Sequence, residues 1–338
     1  MMDWQPQHLR ITSVGWVTTF QDLGRRDTER LGVPTGGAAD QYSAAVANIL
    51  VGNPRHVPVI ETMGGEFAFV PTTDLLIAIT GSPADVTIDG APACRATQTT
   101  GQLWTPLVAY AGSEVRITSS FIGMRNYIAF GGLLACGRFL GSAAPDARMG
   151  FTQAIQVNQV LSVEASLPVA SLTRGEYVPF QMPVAVPSFE PGPWTIDIIE
   201  GPDTDRAAGM REHLARATYT VTPQSNHVGL RLSGPVSHPE HTGEIVSHGV
   251  PVGALEVPPA DELIVLGRYR TLTAGYPIVG FAARTSLARL AQAAPGRELR
   301  FRWIDRDASV GQIAAEELAL RTLETHMSAA VRARTATR

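Results

Sequence analysis

Between Thr222 and Pro258 the chain reads TPQSNHVGLRLSGPVSHPEHTGEIVSHGVPVGALEVP. Groups that make specific polar contacts crowd this stretch: Gln224, Ser225, Asn226, His227, Arg231, Glu244, Ser247 and His248. Arginine and side-chain amides can hold a carboxylate or a developing oxyanion. Imidazole is the usual proton shuttle near neutral pH. Gly and Pro punctuate the stretch, and short apolar runs such as Val228-Gly229-Leu230 separate the polar clusters. Loops carried on short strands have this form, and such loops often hold binding and catalytic groups. By spacing alone the plainer reading is preferred, a set of hairpin turns with capping side chains. No Gly-x-Ser-x-Gly elbow surrounds Ser225, which argues against a triad nucleophile. His238 and His241 sit in a Pro-rich loop without metal-ligand spacing.

Composition narrows the chemistry further. The 338 residues suffice for one large or two moderate domains, and 44% apolar content supports a sizeable core. The net charge of −4 gives no electrostatic footprint for nucleic acid. All 27 basic residues are arginine. A chain without lysine can form no Schiff base, attach no biotin or lipoate, and build no P-loop. If the protein works with ATP or biotin, partner subunits supply them, and this chain binds no covalent cofactor of its own. The two cysteines, Cys94 and Cys136, are too few for a disulfide framework or a structural zinc site. The N-terminus lacks a signal-peptide pattern, and no apolar run reaches the roughly 18 residues that span a bilayer. The expectation is a cytoplasmic protein with no membrane contact.

The elements that must position these groups are mostly strands. Residues 9–23 read as strand, Gly turn and strand, followed by a polar, Gly-rich loop. From Tyr42 the apolar positions Ala45, Val46, Ile49 and Leu50 mark one helix face, with Asp40 at the N-cap and Gly52 at the stop. Strands such as FAFV, LLIAIT, DVTI, SEVRIT, RNYIAF and QVLSVE then follow, with Asp89-Gly90 as a hairpin signal. A Pro-rich connection at 171–195 separates them from a second set that includes TIDIIEG, ATYTVTP, VGLRLSG, EIVSHG, ELIVLG, YPIVGFAA and ELRFRWI. A short helical stretch is expected near 205–216 and a terminal helix over about 309–326. Gly32-Val33-Pro34 through Ala38 echoes Gly249-Val250-Pro251 through Ala254, and each echo is followed by Val-Pro and a strand ending in Gly. The inference is two related β units, with the two Gly-Val-Pro loops in equivalent places and a ligand cleft between the halves.

Several stretches together resemble the allophanate hydrolase subunit 2 family, also called biotin-dependent carboxyltransferase-like, which includes a component of bacterial ATP-dependent 5-oxoprolinase. They are Gln21-Asp22-Leu23-Gly24-Arg25; Gly32-Val33-Pro34 through Asp40; Ala47-Asn48 with Val51-Gly52-Asn53; Arg125-Asn126-Tyr127; and Leu140-Gly141-Ser142 with Asp146 and Arg148. In the second half they are Pro223-Gln224-Ser225-Asn226 with Gly229 and Arg231, Ser247-His248-Gly249, and Val257-Pro258 through Tyr276-Pro277. The resemblance runs over residues 9–303. It implies a mainly β chain of two related cyclophilin-like β-barrel units, with a few short helices and a C-terminal helix. The units are expected at 1–170, with an inserted helix near 40–52, and at 196–305; residues 306–338 form a helical tail.

The resemblance further implies a subunit of a hydrolase acting on C–N bonds, either an ATP-dependent amidohydrolase of the 5-oxoprolinase type or the carboxyltransferase component of a urea carboxylase-like enzyme. The partners it implies are an allophanate hydrolase subunit 1-like protein and a third subunit, and the ligand a small amide or carboxylate. The alternative is a non-catalytic partner of the kinase-regulator type. His248 and Arg231 are the catalytic candidates, and Gln224, Ser225, Asn226, Ser247, Tyr276 and Asp40 the substrate-binding ones; no metal is expected. The chain departs from the family pattern at Tyr269, Thr271 and Ala274, where similar members have an acid, Gln and Gly, and at Glu256, where they have Gln.

Overall fold

A computed structural model describes residues 7–94, 103–165, 183–205, 207, 209–238 and 245–335. Glu244, His241 and most of the Pro-rich connection lie outside the described residues. The chain forms two compact units, one of residues 1–24, 40–189 and 318–338 and another of residues 25–39 and 190–317.

In the first unit, twelve described strands form two sheets. They are β1 (Gln7–Ser13), β2 (Val17–Gln21), β3 (Val59–Met63), β4 (Glu66–Pro71), β5 (Leu75–Gly81), β6 (Ala84–Ile88), β7 (Ala91–Cys94), β8 (Pro106–Ala109), β9 (Val115–Ser119), β10 (Arg125–Phe130), β11 (Gly132–Leu134) and β12 (Val160–Ala165). One sheet has the order β11-β12-β1-β4-β9-β6-β7, the other β2-β3-β10-β5-β8. Asp89 and Gly90 join β6 to β7 with φ of 49° and 76°, as a tight hairpin of this sequence requires. Helix α1 (Gln41–Leu50) begins at Asp40, whose carboxylate accepts from the Ser43 amide at 2.9 Å and the Ser43 hydroxyl at 2.5 Å.

Several of the polar residues that carry the sequence resemblance hold this unit together. Asp22 accepts from Ser142 Oγ (2.5 Å) and from the amides of Ala143 and Gly24 (both 2.8 Å). Asn53 donates to the carbonyls of Phe130 (2.8 Å) and Gly132 (2.9 Å) and accepts from the Gly132 amide (3.1 Å). Buried polar groups are kept only where they are paired in this way.

The second unit is a closed barrel. Its strands are β13 (Trp194–Glu200), β14 (Thr218–Val221), β15 (Gly229–Ser233), β17 (Ala254–Glu256), β18 (Leu263–Leu266), β20 (Ile278–Ala282) and β21 (Glu298–Trp303), in the order β13-β20-β17-β18-β15-β14-β21. The parallel pairing of β13 with β21 closes it. A two-stranded flap of β16 (His248–Gly249) and β19 (Thr273–Ala274) stands apart from the barrel ladder. Alternation along the strands turns Ile196, Tyr219, Leu232, Leu255, Leu263 and Leu299 to one face, all of them fully buried.

Residues 25–39 belong to this unit although they are far upstream in sequence. The Gly36 amide donates to the Arg268 carbonyl at 3.2 Å, and the Arg25 amide donates to Thr35 at 2.7 Å. Gly36 has φ of 57°, and a Cβ there would lie 3.2 Å from the Tyr269 ring and 2.9 Å from the Arg25 guanidinium. Only glycine suits both constraints. The two Gly-Val-Pro loops therefore fall in the same unit, not one in each, because the first docks on the turn after β18.

The helices of the second half are α2 (Met210–Arg216), α3 (Leu287–Ala291) and α4 (Arg306–Thr335). Helix α4 starts earlier than the apolar pattern predicts because Asp305 accepts from the Ala308 amide at 2.7 Å, a first-turn cap. No helix among the described residues is long and apolar enough to cross a membrane.

Candidate functional site

The barrel face opposite the Leu232, Leu255 and Leu263 side chains carries polar groups. Arg231 on β15 pairs with Ile264 on β18, Ile264 pairs with Glu256 on β17, and Glu256 pairs with Ile278 on β20. Directly opposed residues of antiparallel strands share a face. Arg231, Ile264 and Glu256 thus form one row across three strands, and Ile278 pairs with Glu256 across a β-bulge.

The flap is tied down next to that row. His248 pairs with Ala274, and the Val250 amide donates to the Leu272 carbonyl at 2.9 Å. Arg270, itself buried, donates from Nε to the Val250 carbonyl at 2.5 Å, and its Nη2 lies 3.6 Å from Glu29. A Cβ on Gly275 would sit 2.9 Å from the Ile245 carbonyl, so the flap strands approach more closely than any side chain would allow. Val250 buries itself in an apolar cluster with Ala254, Leu266 and Ile278, against which Ile264, Ala274 and Phe281 also pack. The methyl of Ala274, one of the departures from the family pattern, therefore packs on this cluster. Only three residues separate Ala274, opposite His248, from Ile278, opposite Glu256. The topology brings the two titratable groups together.

Glu256 is 3% exposed, and its Oε1 has no hydrogen-bond partner among the described residues. Burial pushes its carboxyl up to about 7, with the charge of His248 pulling in the opposite direction. His248 is half-buried. Its Nδ1 lies 3.3 Å from the Val246 carbonyl, which can only accept, so Nδ1 carries the proton of that bond. Its Nε2 is shut off from solvent without a partner among the described residues. A neutral acid beside a bare imidazole nitrogen can polarise a carbonyl and move a proton.

The expected site residues separate into groups. Ser247, His248 and Tyr276 lie on the flap and its connection to β20; Ser247 and Tyr276 are exposed. Arg231 lies in the same row as Glu256, with its guanidinium paired to Glu262. Ser225 and Asn226 close the turn between β14 and β15. Ser225 Oγ accepts from the Arg231 amide at 3.0 Å, and Asn226 Oδ1 accepts from the Val228 amide at 2.8 Å. Gln224 is exposed in that turn. Asp40 belongs to the first unit as the cap of α1. His227 meets the Tyr269 ring edge-on at 5.7 Å. Among the described residues no group of three His, Cys, Asp or Glu side chains is placed to hold a metal ion. Glu256 is marked in the sequence as a departure that changes the charge a substrate meets, but it is not among the named site residues. The available signal was a lone acid within the apolar strand Ala254-Leu255-Glu256-Val257.

Comparison with known proteins fits this architecture. The chain is 27% identical to a 5-oxoprolinase subunit of Escherichia coli over 300 residues, 87% of this chain and 90% of that protein. It is 26% identical to the corresponding 5-oxoprolinase subunit of Haemophilus influenzae, covering 84% and 87%. Against the urea amidolyase of Lachancea kluyveri it is 27% identical, covering 95% of this chain but only 18% of that protein. The crystal structure of the Kluyveromyces lactis urea carboxylase shares the fold with a TM-score of 0.80 at 21% identity, over 95% of this chain and 30% of that one. The family model for the carboxyltransferase domain, subdomains A and B, matches residues 31–303. A match across both β units, on a fold shared with a urea carboxylase, places this chain in the carboxyltransferase domain family, subdomains A and B.

Proposed function

We propose that this chain is a subunit of a multi-component ATP-dependent amidohydrolase of the 5-oxoprolinase type, acting on a small amide. The observation that carries the reading is the row of Arg231 and Glu256 beside His248, which combines a carboxylate anchor with a proton-handling pair. The bacterial relatives support the choice among family activities, since they match over nine-tenths of a protein of similar size, whereas the urea amidolyases match over about a fifth of theirs.

His248 acts as acid/base through Nε2, held in orientation by its Nδ1 bond to Val246. Arg231 meets Glu262 through Nη1, and the remaining donors of a guanidinium suit a substrate carboxylate. Ser247 and Tyr276 offer hydroxyls on the flap. Ser225 and Asn226 position Arg231 by fixing the turn that precedes it, with Gln224 exposed beside them. With no lysine in the chain, a P-loop or a biotinyl group belongs to another subunit. The partners in this reading are an allophanate hydrolase subunit 1-like protein and a third subunit, which bring the nucleotide.

The test is co-expression with those neighbours, purification of the complex and measurement of ATP hydrolysis stimulated by 5-oxoproline. Stimulation that needs this chain supports the reading. His248→Ala is expected to lower stimulated turnover by about 100-fold or more while the complex stays intact. A stable complex without stimulation would sink the 5-oxoprolinase reading in favour of a urea carboxylase-like component or a non-catalytic regulatory partner.

A further inference from the structure

Two buried polar atoms of the second unit are without partners among the described residues, Glu256 Oε1 and His248 Nε2, and the flap and barrel pairings bring their two residues into the same region. A polar atom buried unpaired costs free energy, so a pair kept this way calls for a complementary ligand edge. Neither neighbouring arginine is paired with Glu256. Arg231 pairs with Glu262, and Arg270 turns to Glu29 and the Val250 carbonyl. Ile264 stands directly opposite Glu256, and Ile278 pairs with it across a β-bulge.

The hydrogen-bond roles follow from connectivity. Because Nδ1 of His248 donates to Val246, the Nε2 of the neutral ring can only accept. A carboxyl in apolar surroundings favours its neutral form, which donates through its O–H. The result is one donor beside one acceptor. We propose that Glu256, as the neutral acid, and His248 Nε2 read the C=O/N–H edge of a neutral amide, with Glu256 donating to the carbonyl oxygen and Nε2 accepting from the N–H. A lactam, a primary carboxamide and a urea all present that edge; an ester or lactone lacks the N–H. This assignment rests on the amide reading above and narrows it to a specificity-determining pair.

The experiment compares two isosteres, 5-oxoproline and its lactone, 5-oxotetrahydrofuran-2-carboxylate, by calorimetric titration of the purified complex. The lactone should bind about 100-fold more weakly or worse, because its ring oxygen would face Nε2. Glu256→Leu should weaken lactam binding at least tenfold and erase most of the discrimination. Glu256→Gln, whose amide can still donate, should restore binding to within about threefold. Melting temperatures of both variants check that they fold. Equal binding of lactam and lactone, or a Glu256→Leu variant that binds and discriminates like the parent, overturns the pair. If 5-oxoproline still stimulates ATP hydrolysis in that case, the subunit reading survives alone. If the complex ignores 5-oxoproline but binds urea or acetamide in a Glu256-dependent way, the pair stands and the 5-oxoprolinase reading falls. Failure of all these probes to bind overturns the pair.

Discussion

Glu256 sets a measurable pH dependence. Its carboxyl is raised by burial to about 7 in the folded chain, against 4.5 in a solvated one. Between those values the folded state holds more protons than the unfolded state, so stability is greatest below about 4.5 on this account and falls as pH rises through 7. The shift corresponds to roughly 3 kcal/mol, spread over that window. Chemical denaturation of the Glu256→Gln variant should therefore show a flatter stability profile between pH 5 and 8 than the parent. Parallel profiles would mean that Glu256 is ionised in the fold. Residue identity made Ser247, His248, Arg231 and Tyr276 legible as candidates from sequence. It marked Glu256 only as a change of charge from Gln; the burial of that acid comes from its pairing with Ile264 and Ile278 and from a flap of two-residue strands, which no local pattern displays. Ser225 and Asn226, candidates for ligand contacts in sequence, also hold the turn before β15 through Ser225 Oγ and Asn226 Oδ1.

At the scale of elements, local signals were reliable where one segment decides its own structure. The apolar spacing from Tyr42 and the cap at Asp40 correspond to α1, and Asp89-Gly90 to a hairpin. Replacing Asp40 by Ala should cost about 1–2 kcal/mol in thermal or chemical denaturation, since two donors of Ser43 lose their acceptor. No loss of stability would show that the cap is dispensable. Short strands such as β17 and β19 were invisible as elements because two or three residues carry no periodicity; ladder partners alone define them. The loop around Gly36 behaves likewise. Gly36→Val combines a positive φ with contacts to Tyr269 and Arg25, and should destabilise the second unit by roughly 2–3 kcal/mol. Hydrogen exchange at residues 267–270 would report it, and unchanged protection there would refute the docking role.

For the whole molecule, the mainly β character was legible in the sequence, while the path of the chain was not, and the two Gly-Val-Pro loops of the internal echo lie in one unit. Proximity in sequence assigns residues 25–39 to the first half, yet they complete the second. A fragment of residues 190–338 should accordingly bind a hydrophobic dye and lack a sharp melting transition, and adding the peptide 25–39 should restore part of both; a fragment that melts cooperatively alone would contradict this. The same borrowing fixes a schedule for synthesis. Gly36 leaves the ribosome long before its acceptor at Arg268 exists, and at typical elongation rates the interval is on the order of 10–50 s. During that time the Arg25–Ala39 segment has no barrel to dock on. The nascent chain must therefore carry a glycine-rich loop without its acceptor across the synthesis of its entire first half, and that loop can dock only once the turn after β18 has been made.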